Sequence, residues 1–200
     1  AMKWLVSLTG LPEGAFGVFT SGGTSANLSA MVTAREAWRA RSTDNIGVKA
    51  LLLTSNGAHS SVQAMARVMD ADVIMIDCPD ENLRGGSLQT AINELPEKDR
   101  KRLFAVVATG GTTNAGIIDE LDTIAEVCRK ENVWLHVDAA YGGGALAAPS
   151  VRHLFRGIEE ADSITIDPHK WLFSPYDCGA VIYKNMELAK NAHSQKGAYL

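Results

Sequence analysis

Short, nearly continuous apolar runs recur along this chain, and segments of helical period separate them. Lys49–Thr54 reads KALLLT and Leu103–Thr109 reads LFAVVAT. Strand-length runs with no polar alternation are expected where both faces of a sheet are covered. Phe16–Phe19, Asp72–Asp77, Val133–Asp138, Asp162–Asp167 and Gly179–Tyr183 are further strand-like runs. Between them, Leu28, Met31, Val32 and Trp38 fall on one helical face, and Leu121, Ile124, Ala125 and Cys128 on another. Asp119, Glu120 and Asp122 crowd the first turn of that second helix and Arg129 and Lys130 its last, which complements the helix dipole. Alternating strands and helices with doubly covered strands predict a three-layer α/β/α domain around a mainly parallel sheet. No repeat, low-complexity tract or linker divides residues 1–200, so one domain is expected. Met2–Leu8 and the end at Tyr199–Leu200 both read as helix without a start or stop signal, which predicts a piece of a longer polypeptide.

Composition narrows the partners. A formal net charge of −4 supplies no basic footprint for nucleic acid. The longest apolar stretches are strand-length, and no basic-then-apolar leader opens the chain, so neither membrane insertion nor secretion is expected. Cys78, Cys128 and Cys178 form no CxxC pair and share no surrounding pattern. Scattered thiols in odd number fit a reducing, cytoplasmic setting, and no metal site is expected.

Ligands of α/β sheets gather beyond the carboxyl ends of strands, and the informative residues sit there. Thr20 to Asn27 follows a strand and opens a helix, with Gly22 and Gly23 beside the hydroxyls of Thr24 and Ser25. Such a helix entry can cradle a phosphate on its N–H groups, or Thr and Ser can simply cap it. It lacks the GK[ST] ending of a nucleotide loop. His59, after the run Lys49–Thr54, is placed to stack on a flat cofactor, or to cap a helix. Ala108 to Gly116 is a small-residue loop that leaves room for something bulky, or is a plain turn. Asp138 ends a buried-type strand and precedes two alanines and a glycine run. A carboxylate there needs a cationic or hydrogen-bonding partner. Lys170 sits among Pro168, His169, Trp171, Leu172 and Phe173, where partial desolvation is expected to make its amine nucleophilic. Phosphate cradle, ring-stacking histidine, carboxylate and amine, each at a strand end, together describe a pyridoxal-phosphate site.

The segments TSGGTSAN, AHSS, ATGGTTNAG, HVDAAYGGG and DPHKWLF resemble the motif series of the group II pyridoxal-phosphate (PLP) decarboxylases, the aromatic-L-amino-acid decarboxylase family, over essentially the whole chain. The resemblance implies the aspartate-aminotransferase-like fold (fold type I) and a homodimer. It places Lys170 as the Schiff-base lysine and Asp138 as partner of the pyridine nitrogen. His59 matches the ring-stacking histidine, and Ala140 lies where the opposite ring face packs. Gly23 and Thr24 match phosphate-loop positions, Thr113 a cofactor-contacting threonine, and His169 the histidine before the lysine. Asp167 stands where many relatives have Asn, and a carboxylate beside a phosphate is repelled unless a proton or water intervenes.

The implied reaction is decarboxylation of an amino-acid substrate to an amine and CO₂. Trp171 after the lysine resembles aromatic-amino-acid and diaminobutyrate decarboxylases more than the glutamate enzymes, so an aromatic substrate is expected. Family members also carry an N-terminal segment, a mobile loop with a catalytic tyrosine, and a small C-terminal domain outside the matched stretch. The isolated chain is therefore expected to be weakly active or inactive. An aminotransferase or carbon–carbon lyase of the same fold, and a non-catalytic fragment, are the alternatives.

Overall fold

Every expected apolar run forms a strand of one sheet: β1 (Phe16–Thr20), β2 (Leu51–Ser55), β3 (Asp72–Ile76), β4 (Leu103–Thr109), β5 (Trp134–Asp138), β6 (Ser163–Ile166) and β7 (Gly179–Tyr183). These come from a computed structural model that describes residues 1–194; the helix reading at Tyr199–Leu200 lies outside the described residues. The strand order is β1-β7-β6-β5-β4-β2-β3. Strands β3, β2, β4, β5 and β6 are parallel, while β7 runs antiparallel to both β6 and β1. Two antiparallel pairings in series turn β1 to the same direction as β6. The carboxyl ends of β1, β2, β4, β5 and β6 therefore share one edge of the sheet.

The helices are α1 (Met2–Thr9), α2 (Gly23–Arg39), α3 (Ser61–Val68), α4 (Gly85–Glu94), α5 (Glu97–Arg100), α6 (Leu121–Glu131) and α7 (Met186–His193). Leu5 of α1, Leu88 and Ile92 of α4, and Leu121, Ile124 and Cys128 of α6 pack on one face of the sheet. Met31 and Trp38 of α2, Val62 and Met65 of α3, and Ala189 of α7 pack on the other. Strand side chains alternate between the two cores: Leu51 and Leu53 enter the first, Leu52 the second. Each such buried leucine contributes about 1.5–3 kcal/mol. The three-layer expectation holds, and no helix among the described residues is long and apolar enough to cross a membrane.

Two local expectations change. On α2 the buried stripe is Asn27, Ala30, Met31, Ala34 and Trp38, and Leu28 and Val32 lie half-buried on its flank. Asn27, Ala30 and Ala34 share that contact face with the bulkier Met31 and Trp38. Asp119 does not serve the dipole of α6, whose first turn carries only Asp122. Its buried carboxylate instead accepts the backbone N–H groups of Leu83 and Thr109, each at 2.7 Å, and ties the base of the loop after β4. Burial pushes this carboxyl up to about 7, against the pull of those two donors.

Candidate active site

A cavity of about 330 Å³ opens where the shared strand ends converge. Every site residue expected from the sequence lines it: Gly23 and Thr24 after β1, His59 after β2, Thr113 after β4, Asp138 and Ala140 at β5, and Asp167, His169 and Lys170 after β6. The close approach of the β1 and β7 ends requires glycine, since a Cβ on Gly179 would lie 2.5 Å from the Cα of Gly22.

Asp138 forms the floor. Its Oδ1 accepts the Ala140 N–H at 3.1 Å and its Oδ2 the Asn27 side-chain N–H at 2.8 Å. Burial pushes its carboxyl up, and the Ala140 and Asn27 donors with the nearby Lys170 and His59 charges pull it back. His59 stands at the mouth. Its Nδ1 accepts the Ser61 N–H at 3.2 Å and contacts Ser61 Oγ at 2.9 Å, which turns Nε2 away from Ser61.

Lys170 is partly buried, as expected, with its side chain 35% exposed, but its aromatic neighbours are not what covers it. The turn after β6 projects Trp171 and Phe173 outward, 49% and 91% exposed. Its nearest charged partner is Asp167, whose Oδ2 lies 3.0 Å from the Lys170 Nζ. This ion pair balances the Asp167 carboxylate while the Lys170 amine is free. His169 Nδ1 accepts the Cys178 N–H at 2.8 Å, which leaves its Nε2 facing Asp167 Oδ2 at 3.7 Å.

The phosphate end also resolves an alternative. The α2 N-terminus begins after Gly22, and no side chain caps it among the described residues, so its first-turn N–H groups are free for an anion. A Cβ on Gly23 would meet Asp167 Oδ2 at 2.9 Å and the Ala140 Cβ at 3.0 Å, so glycine keeps this cradle open. Asp167 Oδ1 is buried with no hydrogen-bond partner among the described residues. An amine, a floor carboxylate and an open N–H cradle fit pyridoxal phosphate.

Asn27, Ser61 and His136 carry site contacts that the sequence reading assigned to no role. Period-two spacing could have found His136, which shares a face of a fully buried strand with Trp134 and Asp138. A buried polar side chain there demands a partner. Asn27, on the buried face of α2, is that partner, with its Oδ1 3.0 Å from His136 Nε2.

Residues 1–200 match the family model described as pyridoxal-dependent decarboxylase conserved domain. The chain is 37% identical over 204 residues to an aromatic-L-amino-acid decarboxylase of Bacillus atrophaeus, covering 100% of this chain and 41% of the relative. It is 38% identical over 187 residues to an L-2,4-diaminobutyrate decarboxylase of Rhizobium meliloti, covering 90% and 36%. The crystal structure of mouse CSAD superposes with a TM-score of 0.88 at 33% identity, over 98% of this chain and 42% of that one. Oryza sativa TDC, solved with PLP and tryptamine, gives 0.89 at 28% identity, over 99% and 44%. The chain thus spans about two fifths of the length of these relatives, and its sheet has the fold type I arrangement.

Proposed function

The chain belongs to the pyridoxal-dependent decarboxylase family, and from that premise we propose that it forms the cofactor site of an enzyme converting an L-amino acid to its amine and CO₂. The observation that carries this reading is the convergence of the Lys170 amine, the Asp138 carboxylate and the uncapped α2 N-terminus on one cavity. Lys170 would hold the cofactor aldehyde, Asp138 the ring nitrogen, His59 and Ala140 the ring faces, and Gly23 and Thr24 the phosphate end, with Thr113 a further contact to the cofactor. Bound there, pyridoxal phosphate supplies a sink for the electron pair released when CO₂ leaves.

The chain's own groups prepare the site. Asp138, hydrogen-bonded on both oxygens, presents its carboxyl group where the ring nitrogen would sit. Asp167 holds the Lys170 ammonium at 3.0 Å and takes up its charge until the amine is used. The Nε2 of His59 is turned from Ser61 and is free to orient a substrate carboxylate.

Our reading extends to an aromatic substrate. Trp171 meets Tyr141 edge-on at 5.3 Å, and Tyr141 and Tyr176 stand on the cavity wall, which gives a side-chain ring aromatic neighbours. It extends also to a homodimer, supported by Phe16 and Val18 exposed on one face of the edge strand β1, and to the cytoplasm, supported by three free cysteines. The test is product analysis on the full-length protein with a panel of L-amino acids. CO₂ and amine from an aromatic member are the expected products; a keto acid overturns the decarboxylase reading, and preference for diaminobutyrate or cysteine sulfinate overturns the substrate class.

A further inference from the structure

Behind Asp138, in the core between β5, β6 and α2, lies a chain of polar side chains with no exposure to the cavity at its far end. Trp134 Nε1–H donates to Ser163 Oγ at 2.9 Å, and Ser163 Oγ lies 2.8 Å from His136 Nδ1. His136 Nε2 lies 3.0 Å from Asn27 Oδ1, and Asn27 Nδ2 gives its protons to Asp138 Oδ2 at 2.8 Å and Ser61 Oγ at 3.4 Å. Ser163 and His136 are fully buried and Asn27 is 1% exposed, so water does not complete these bonds from bulk. Thr165 Oγ1 makes a longer contact to His136 Nε2, 3.5 Å against 3.0 Å for Asn27 Oδ1.

The direction of this chain is set from its indole end, because an indole N–H only donates. Ser163, having accepted from Trp134, spends its single proton on His136 Nδ1. His136 therefore carries its proton on Nε2 and donates to Asn27 Oδ1. That contact leaves the amide one orientation, with both N–H bonds on the cavity side. Reversing the order would set two N–H groups against Ser163 and leave its own proton without an acceptor. Burial holds His136 neutral, its value lowered to about 3, as the arrangement requires.

We propose that Asn27 is a positioning residue of the cofactor site: its amide, locked in one orientation by the buried His136–Ser163–Trp134 chain, donates to Asp138 and keeps that carboxyl group aimed into the cavity. This inference rests on the cofactor reading above. It assigns the backing residues a function at the ring nitrogen rather than in packing alone, and it joins Asp138 to His59 through one amide, since Ser61 bonds both Asn27 and His59.

The test has two parts that fail separately. Long-range ¹H–¹⁵N spectra of the ligand-free full-length protein read the tautomer of His136 directly. A proton on Nε2 is expected, and a proton on Nδ1 overturns the inference whatever the cofactor does. Next, ¹⁵N-labelled pyridoxal phosphate is titrated into the wild type, Asn27→Asp and Ser163→Ala, reading affinity and the ring-nitrogen resonance. Asn27→Asp replaces the donor facing Asp138 by an acceptor, and should weaken binding roughly tenfold to a hundredfold, the scale of one hydrogen bond to a charged group. It should also shift the ring nitrogen toward its unprotonated position. Ser163→Ala, which touches no cavity wall, should shift the same resonance by less. Unchanged affinity and resonance in Ser163→Ala overturn the inference, even where Asn27→Asp does not fold. A wild type that takes up no cofactor overturns the functional reading instead.

Discussion

Leu135 and Val137 point from β5 into the core shared with α6, whereas Trp134, His136 and Asp138 point from the same strand toward α2. Both sets are buried, from 0% to 7% exposed. On the first face any shape of the right volume satisfies the site, because apolar contacts carry no direction. On the second, each donor must meet an acceptor, and one mismatch leaves a buried polar group at a cost of about 1–3 kcal/mol. Here the polar row ends at Asp138 on the cavity floor. Burial alone does not distinguish the two faces of β5; the matched polar row does.

Substitutions on the two faces should separate accordingly. Asp138→Ala is expected to leave the fold in place by circular dichroism and to lower kcat of the full-length enzyme by roughly 10²–10⁴-fold, the range of proton-handling groups; near-normal turnover would remove Asp138 from its role. Leu135→Ala on the opposite face should cost about 2–5 kcal/mol in urea unfolding and leave cofactor affinity unchanged where the protein is folded. A changed affinity would mean that the faces are coupled through β5.

His136→Gln should alter the acid limb of stability. The folded value near 3 lies below the ordinary 6.5, so the unfolded state binds the proton first. Stability is then lost as pH falls from about 6.5 toward 3, by up to about 1.4 kcal/mol per pH unit. The glutamine variant should flatten that limb in denaturant titrations at several pH values, and an unaltered slope would show that His136 does not enter the core neutral. The smallest effect belongs outside both faces. Arg156, 79% exposed, pairs with Asp122, and Arg156→Ala should change unfolding free energy by no more than about 1 kcal/mol.

The strands were legible because doubly covered strands leave unbroken apolar runs, as at Leu103–Thr109. The cavity residues were legible because α/β topology sends strand ends to one edge, so motifs far apart in the chain could be read as neighbours. Pairing partners were not. Asp119 looks like a helix-terminus acid in the sequence, yet folding brings Leu83 and Thr109 to it. Lys170 sits in an apolar string, yet a turn sends Trp171 and Phe173 outward and leaves Asp167 beside it. Asn27 and His136 stand 109 positions apart, and no local pattern pairs them.

The most direct measurement is borohydride reduction of the protein with pyridoxal phosphate, followed by peptide mapping and checked by circular dichroism. One dominant adduct on Lys170, lost in Lys170→Ala, is the expected result. A folded protein with no adduct, or with adducts scattered over exposed lysines such as Lys101 and Lys190, would contradict the assignment of this cavity to the cofactor.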